Sequence, residues 1–160
     1  MKMPAIRAQS GFTLVELMVV IAVLAILASI GIPGFQGIVA ENRATSAANE
    51  LLATLQFARS AAIAQSRPVT VRPTNDDWNG GWVVEMNENG DLLVLRESSA
   101  LHPSVVIDKE SQLTFSSTGT LVGQTITPPF VLQVNSGPGA SRAICMTLGG
   151  SSKVIRGETC

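Results

Sequence analysis

Catalytic chemistry has few residues to draw on in this sequence, which holds one histidine and two cysteines among 160 residues. His102 stands beside Pro103 in an irregular stretch with no nearby Cys/His cluster, so it reads as a surface or turn residue rather than a general base or metal ligand. No zinc site is spelled. Glu85, Asn87, Asn89 and Gly90 resemble part of a calcium loop, but Arg96 stands where the bidentate acid of position twelve belongs, and a hairpin turn accounts for the same residues. In Gly149, Gly150, Ser151, Ser152 and Lys153 the glycines and the lysine are misplaced for a phosphate loop, and no helical pattern follows. No metal, no cofactor and no enzymatic activity are therefore expected.

What the sequence does have is a long apolar run. Between residues 17 and 32 the only polar side chain is Ser29. At 1.5 Å per residue, residues 12–32 cover about 30 Å, the thickness of a bilayer core. Glu16 sits near the start of this run. An ionised carboxylate at mid-depth in hydrocarbon costs roughly 2.5 to 3.5 kcal/mol, so an acid there calls for a function and a partner. Ahead of it, residues 1–11 carry Lys2 and Arg7 and no acid, like the cytoplasmic end of a secretory signal. A plain signal anchor is one reading, but Glu16 fits a signal core poorly, and the small residues Ala25, Ala28 and Ser29 lie inside a run that continues past them.

Gly11 followed by Phe12, Thr13, Leu14, Val15 and Glu16 resembles the processing site of type IV prepilins and type II secretion pseudopilins, members of the type IV pilin superfamily. The resemblance implies that a membrane peptidase cuts between Gly11 and Phe12 and N-methylates Phe12. It also implies that Glu16, fifth in the mature chain, meets the N-terminal amine of a neighbouring subunit during assembly. Pro33 falls twenty-second, where many pilins also carry proline. Eleven basic side chains less Lys2 and Arg7 leave nine against twelve acidic ones, a balance that argues against a global polyanion-binding role.

The helix is predicted to continue beyond the apolar run. Ala44, Ala48, Leu51, Leu55, Ala58 and Ala62 recur in steps of three and four and make one apolar stripe suited to packing on a sheet. Glu41, Asn42, Arg43, Glu50, Arg59 and Gln65 supply the polar positions. Gly31, Pro33, Gly34 and Gly37 predict a kink or melted turn between the two halves, and Arg67 before Pro68 predicts the stop. Strands are predicted at 69–72, 82–86, 92–95, 105–107, 113–115, 130–134, 143–148 and 153–155, with Asn89 and Gly90 turning a hairpin. Pro128 with Pro129, the residues from Ser136 to Gly139, and those from Gly149 to Ser152 read as loops. The expected fold is α+β, a long N-terminal helix with a membrane-spanning half and an amphipathic half, packed on an antiparallel β-sandwich-like head. Its expected divisions are a cleaved leader 1–11, an assembly helix 12–34, an amphipathic helix 35–67 and a periplasmic head 68–160.

A finer resemblance spans most of the chain. Asn49, Glu50 and Leu51, then Phe57 to Ile63, then Pro68 and Val69, Trp78 to Val84, and Phe115 to Gly119 are similar to the GspH/FimT group of minor pilins and minor pseudopilins. It implies a structural subunit held in the bacterial inner membrane and assembled at or near the tip of a pilus or pseudopilus. Its implied partners are other pilins or pseudopilins, the prepilin peptidase and an inner-membrane assembly platform. A periplasmic head permits Cys145 and Cys160 to pair, which would contribute roughly 3 kcal/mol, with two free thiols as the alternative. A second functional reading is a DNA-binding minor pilin. Some members of the group are linked to DNA uptake, and Arg142, Lys153 and Arg156 offer a small basic patch, although the group's arginine pair is here Lys153 and Arg156 with Val154 and Ile155 between them.

Overall fold

In the computed structural model one helix, α1 (Leu14–Gln65), precedes eight strands among the described residues, which are 11–108, 112–122, 130–134 and 140–160. The basic leader with Lys2 and Arg7, the loop expected at Pro128 and Pro129, and the one from Ser136 to Gly139 lie outside those residues. The chain divides between Phe35 and Gln36 into two units. In the first, the apolar side chains of the helix are exposed on every side: Leu14, Leu17, Ile21, Leu24, Leu27 and Ile30 are all more than half accessible. A helix that is apolar all round has no face to turn to water, and this one has the length and composition to cross a membrane. Of the two alternatives expected around Gly31 to Gly37, a kink or a melted turn, the melted turn is not formed. The helix runs through these residues without a break: each glycine costs about 1 kcal/mol and the interior proline about 3 kcal/mol through its lost hydrogen bond and ring clash, and the helical segments on both sides carry the ladder across.

The second unit is built on the other half of α1. Ala44, Ala48, Leu51, Leu55, Ala58 and Ala62 are all fully buried, so the predicted stripe is the helix face that carries the core. Four of the six are alanine, so the buried face of the helix is lined mostly by small side chains. The strands are β1 (Val69–Thr74), β2 (Asp77–Glu88), β3 (Asp91–Glu97), β4 (Val105–Asp108), β5 (Leu113–Phe115), β6 (Phe130–Val134), β7 (Arg142–Met146) and β8 (Ser152–Arg156). They form two four-stranded sheets, in the orders β3-β2-β1-β5 and β4-β6-β7-β8, with every pairing antiparallel. Both sheets feed one core with the helix. Val69, Val71, Trp82, Val84 and Phe115 come from the first, and Val105, Ile107 and Ile144 from the second.

Local chemistry sets the ends of these elements. At the helix C-terminus the Ser66 amide donates to the Ile63 carbonyl and the Arg67 amide to the Ala62 carbonyl, both at 3.2 Å, the paired bonds of a Schellman cap. Ser66 takes the left-handed position at φ 52°, so the helix stops two residues before Arg67. Asn89 and Gly90, at φ 57° and 102°, turn β2 into β3 as a two-residue hairpin whose twist matches the strands. Inside the core the Trp82 indole donates to the Thr54 hydroxyl at 3.1 Å, and that hydroxyl donates to the Glu50 carbonyl at 3.0 Å. A threonine in mid-helix thus satisfies a buried indole.

Because the core is centred on the stripe, its residues should respond to size in both directions. Leu55→Ala is expected to cost about 2 to 5 kcal/mol through the cavity it leaves. Ala58→Leu should cost about 1 to 3 kcal/mol by overpacking, whereas Ala53→Leu on the exposed side of the same helix should stay within about 0.5 kcal/mol of wild type. Urea unfolding followed by tryptophan fluorescence reads all three, since Trp78 and Trp82 both lie in this core.

Candidate assembly site

The N-terminal end of α1 brings together the residues singled out for processing and assembly. Gly11 and Phe12 precede the helix as exposed, non-helical chain. Thr13 is the N-cap. Its hydroxyl accepts a hydrogen bond from the Glu16 amide at 3.2 Å, while the Glu16 carboxylate accepts from the Thr13 amide and hydroxyl, each at 2.9 Å. This is a reciprocal capping box, which satisfies orphan donors of the first helical turn where no water would replace them in a membrane. Glu16 therefore has hydrogen-bond partners in its own chain, although among the described residues none of its partners is a cation. The signal was in the sequence as Thr13 and Glu16 three residues apart ahead of an apolar run; a search for an opposite charge alone passes over it.

In the second unit the polar flanks of the helix act as fastenings rather than as a solvated face. Glu41 accepts from Arg142 at 2.7 Å and from Arg156 at 2.6 Å, joining the helix to β7 and β8. Arg43 donates to the Ser104 hydroxyl at 3.3 Å, the Ser98 hydroxyl donates to Glu50 at 2.6 Å, and the Arg59 Nε donates to the Gly119 carbonyl at 3.0 Å. The Arg59 bond links two segments of the sequence resemblance, the one around Phe57 to Ile63 and the one ending at Gly119. Gly150 completes the junction: its φ is +74°, and a Cβ there would lie 2.0 Å from the Gly119 carbonyl oxygen, so only glycine lets the two turns meet.

The proposed basic patch of Arg142, Lys153 and Arg156 does not form. Arg142 is buried, and both arginines are committed to Glu41. Arg142 and Arg156 are cross-strand partners on one face, whereas Lys153 is an odd number of residues from Arg156 along β8 and so projects from the other face. His102 caps its own turn, its Nδ1 lying 2.9 Å from the Ser104 hydroxyl and 3.2 Å from the Ser104 amide. Asn87 accepts from the Gly90 amide at 3.0 Å, which uses the calcium-like residues in the hairpin. Among the described residues no three His, Cys, Asp or Glu side chains converge as a metal site. Cys145 and Cys160 are joined in a disulfide with their Cα atoms 5.8 Å apart, tying the chain end back to β7 across 15 residues.

The hydrogen bond from Arg142, then the charge of Arg156, holds the Glu41 carboxyl below its ordinary value. A depressed folded-state pKa contributes stability that is complete above the unfolded value, near 4.3, and is lost as pH falls through the folded value. The head is accordingly expected to lose stability below about pH 5, with Glu41 contributing to that limb. Glu41→Gln should be less stable than wild type at neutral pH, and the gap should narrow toward pH ~3. Urea midpoints of both proteins across this range check it.

Comparison with known proteins agrees with this geometry. The family described as "Type II transport protein GspH" matches residues 47–151, and the "Prokaryotic N-terminal methylation motif" matches residues 6–32. A fimbrial protein of Pseudomonas aeruginosa is 41% identical over 71 residues, 44% of this chain and 46% of its own. The type IV major alpha-pilin of Moraxella bovis is 47% identical over 47 residues, 29% of this chain and 30% of its own. The chain thus spans less than half the length of these curated relatives. The crystal structure of the type IV minor pilin FimU of Pseudomonas aeruginosa strain PAO1 superposes with a TM-score of 0.61 at 27% identity, covering 71% of this chain and 89% of that one. With the GspH match covering most of the head and the methylation motif lying over the apolar helix, the chain belongs to the GspH family of pilin-like proteins.

Proposed function

We propose that this protein is a minor pilin of a type IV pilus, held in the inner membrane by α1 with its head in the periplasm and built into the fibre at or near its tip. In this reading the prepilin peptidase cuts between Gly11 and Phe12 and methylates the new Phe12 amine. The observation that carries it is Glu16: a carboxylate at the head of a lipid-length helix, hydrogen-bonded by Thr13 yet without a cation of its own among the described residues. In a fibre, the N-terminal amine of a neighbouring subunit supplies that charge. The similarity to FimU and to fimbrial proteins favours a pilus. A pseudopilin of type II secretion is the second reading, favoured by the name of the family that matches the head.

The test separates charge from capping. Glutamine serves at this position of a capping box as glutamate does, so Glu16→Gln should keep the helix start and the stability of the head while removing the charge. The variant is expected in the membrane at wild-type level and depleted from sheared fibres by immunoblot. Wild-type incorporation would remove Glu16 from assembly. Deleting the gene should abolish or reduce surface pili while leaving type II substrates secreted; the opposite pair of results selects the pseudopilin.

A further inference from the structure

We infer that the head carries a receptor for a single carboxylate, formed by Arg59 and the serines of the β7–β8 turn. Between helix α1 and this turn lies an open pocket of about 340 Å³ lined by Gln56, Arg59, Ser60, Gly150, Ser151 and Ser152. Among the described residues that line it, Arg59 is the only ionisable side chain and none is acidic. The ion pairs among the described residues are Arg67 with Glu88, Arg72 with Glu85, and the two on Glu41; none uses Arg59.

The guanidinium is oriented in advance. Its Nε is taken by the Gly119 carbonyl at 3.0 Å, and the Gly150 backbone packs against it so closely that a Cβ there would lie 3.1 Å from Nε. One edge of the planar group is thereby fixed. Among the described residues its two terminal nitrogens have no hydrogen-bond or ion-pair partner, which leaves a fork of the kind that recognises a carboxylate or phosphate through paired hydrogen bonds. Held in place, the arginine gives up little rotamer freedom on binding. Around it the Ser60, Ser151 and Ser152 hydroxyls add donors and acceptors; Ser60 already donates to the Gln56 carbonyl at 2.8 Å, which anchors its position. One positive charge with hydroxyls and no second cation matches a monoanion better than a phosphate dianion, and a carboxylate fits both the charge and the fork.

Such a carboxylate comes either from an acidic side chain on another protein or from a free small acid. The inference concerns the head alone and does not rest on the fibre assignment. The experiment uses the full chain in detergent micelles and follows the Arg59 Nε–H resonance by NMR during titration with acetate, with N-acetylglutamic acid amide and with sodium chloride. Saturable shifts with both carboxylates, at least tenfold tighter than any response to chloride, are expected. Tighter binding of the glutamate analogue than of acetate identifies a protein side chain as the source, and equal binding identifies a free acid. Ser152→Glu places a carboxylate in the pocket without touching the Arg59–Gly119 bond, so it should keep the wild-type unfolding midpoint and weaken acetate binding at least tenfold. A response to acetate no stronger than to chloride, or unchanged binding in folded Ser152→Glu, overturns the site.

Discussion

The burial of one face of α1, lined by four alanines and two leucines, is the constraint on which the rest of the head depends. Ala44, Ala48, Ala58 and Ala62, with Leu51 and Leu55 between them, are wholly buried, and residues of both sheets pack on this stripe. Larger side chains on this face would overpack the core. Beside the stripe Glu41, Arg43, Glu50, Thr54 and Arg59 each meet a strand or loop. Apolar packing thus holds helix and sheets together, and the polar fastenings fix which residues of the strands and loops face which turn of the helix.

The same helix answers to two surroundings, and its acids differ accordingly. Glu16, in the half that is apolar all round, folds its carboxylate onto the backbone one turn earlier and so meets the first unsatisfied donors. Glu41, in the half that packs on the sheets, reaches two arginines more than 100 residues further along the chain. The first arrangement is complete within four residues and forms whenever the helix does. The second exists only when β7 and β8 are paired and docked, which makes Glu41 a report on the assembled head and ties part of its acid stability to that contact. The disulfide from Cys145 to Cys160 secures the same region from the other side by closing the chain end on β7.

Much of this was legible in the sequence because it is periodic or local. The three- and four-residue steps of the stripe pick out the buried face, and Asn89 with Gly90 marks the hairpin through its tolerance of positive φ. Short β-branched runs place all eight strands to within a few residues, although β2 extends further because Gly80 and Gly81 are carried inside it. What local pattern does not hold is pairing between distant segments. The order of strands in two sheets, the Glu41 triad and the Arg59–Gly119 bond each join residues far apart in the chain. The basic patch failed for a simpler reason: strand parity sends Lys153 and Arg156 to opposite faces, and Arg142 is needed inside. Around Gly31 to Gly37 composition overstated melting, since weak helix formers between two strong helical segments still continue the ladder.

One helix serving as both anchor and core requires that its apolar half remain on the mature protein. Intact mass and N-terminal fragment analysis of the protein purified from native membranes tests this most directly. The account predicts a mature chain that begins with N-methylated Phe12 and retains Glu16 and the whole apolar run. A chain that begins after Ala28 or Ser29 would contradict it, because the head would then have been released by ordinary signal cleavage and Glu16 would have no part in the finished subunit.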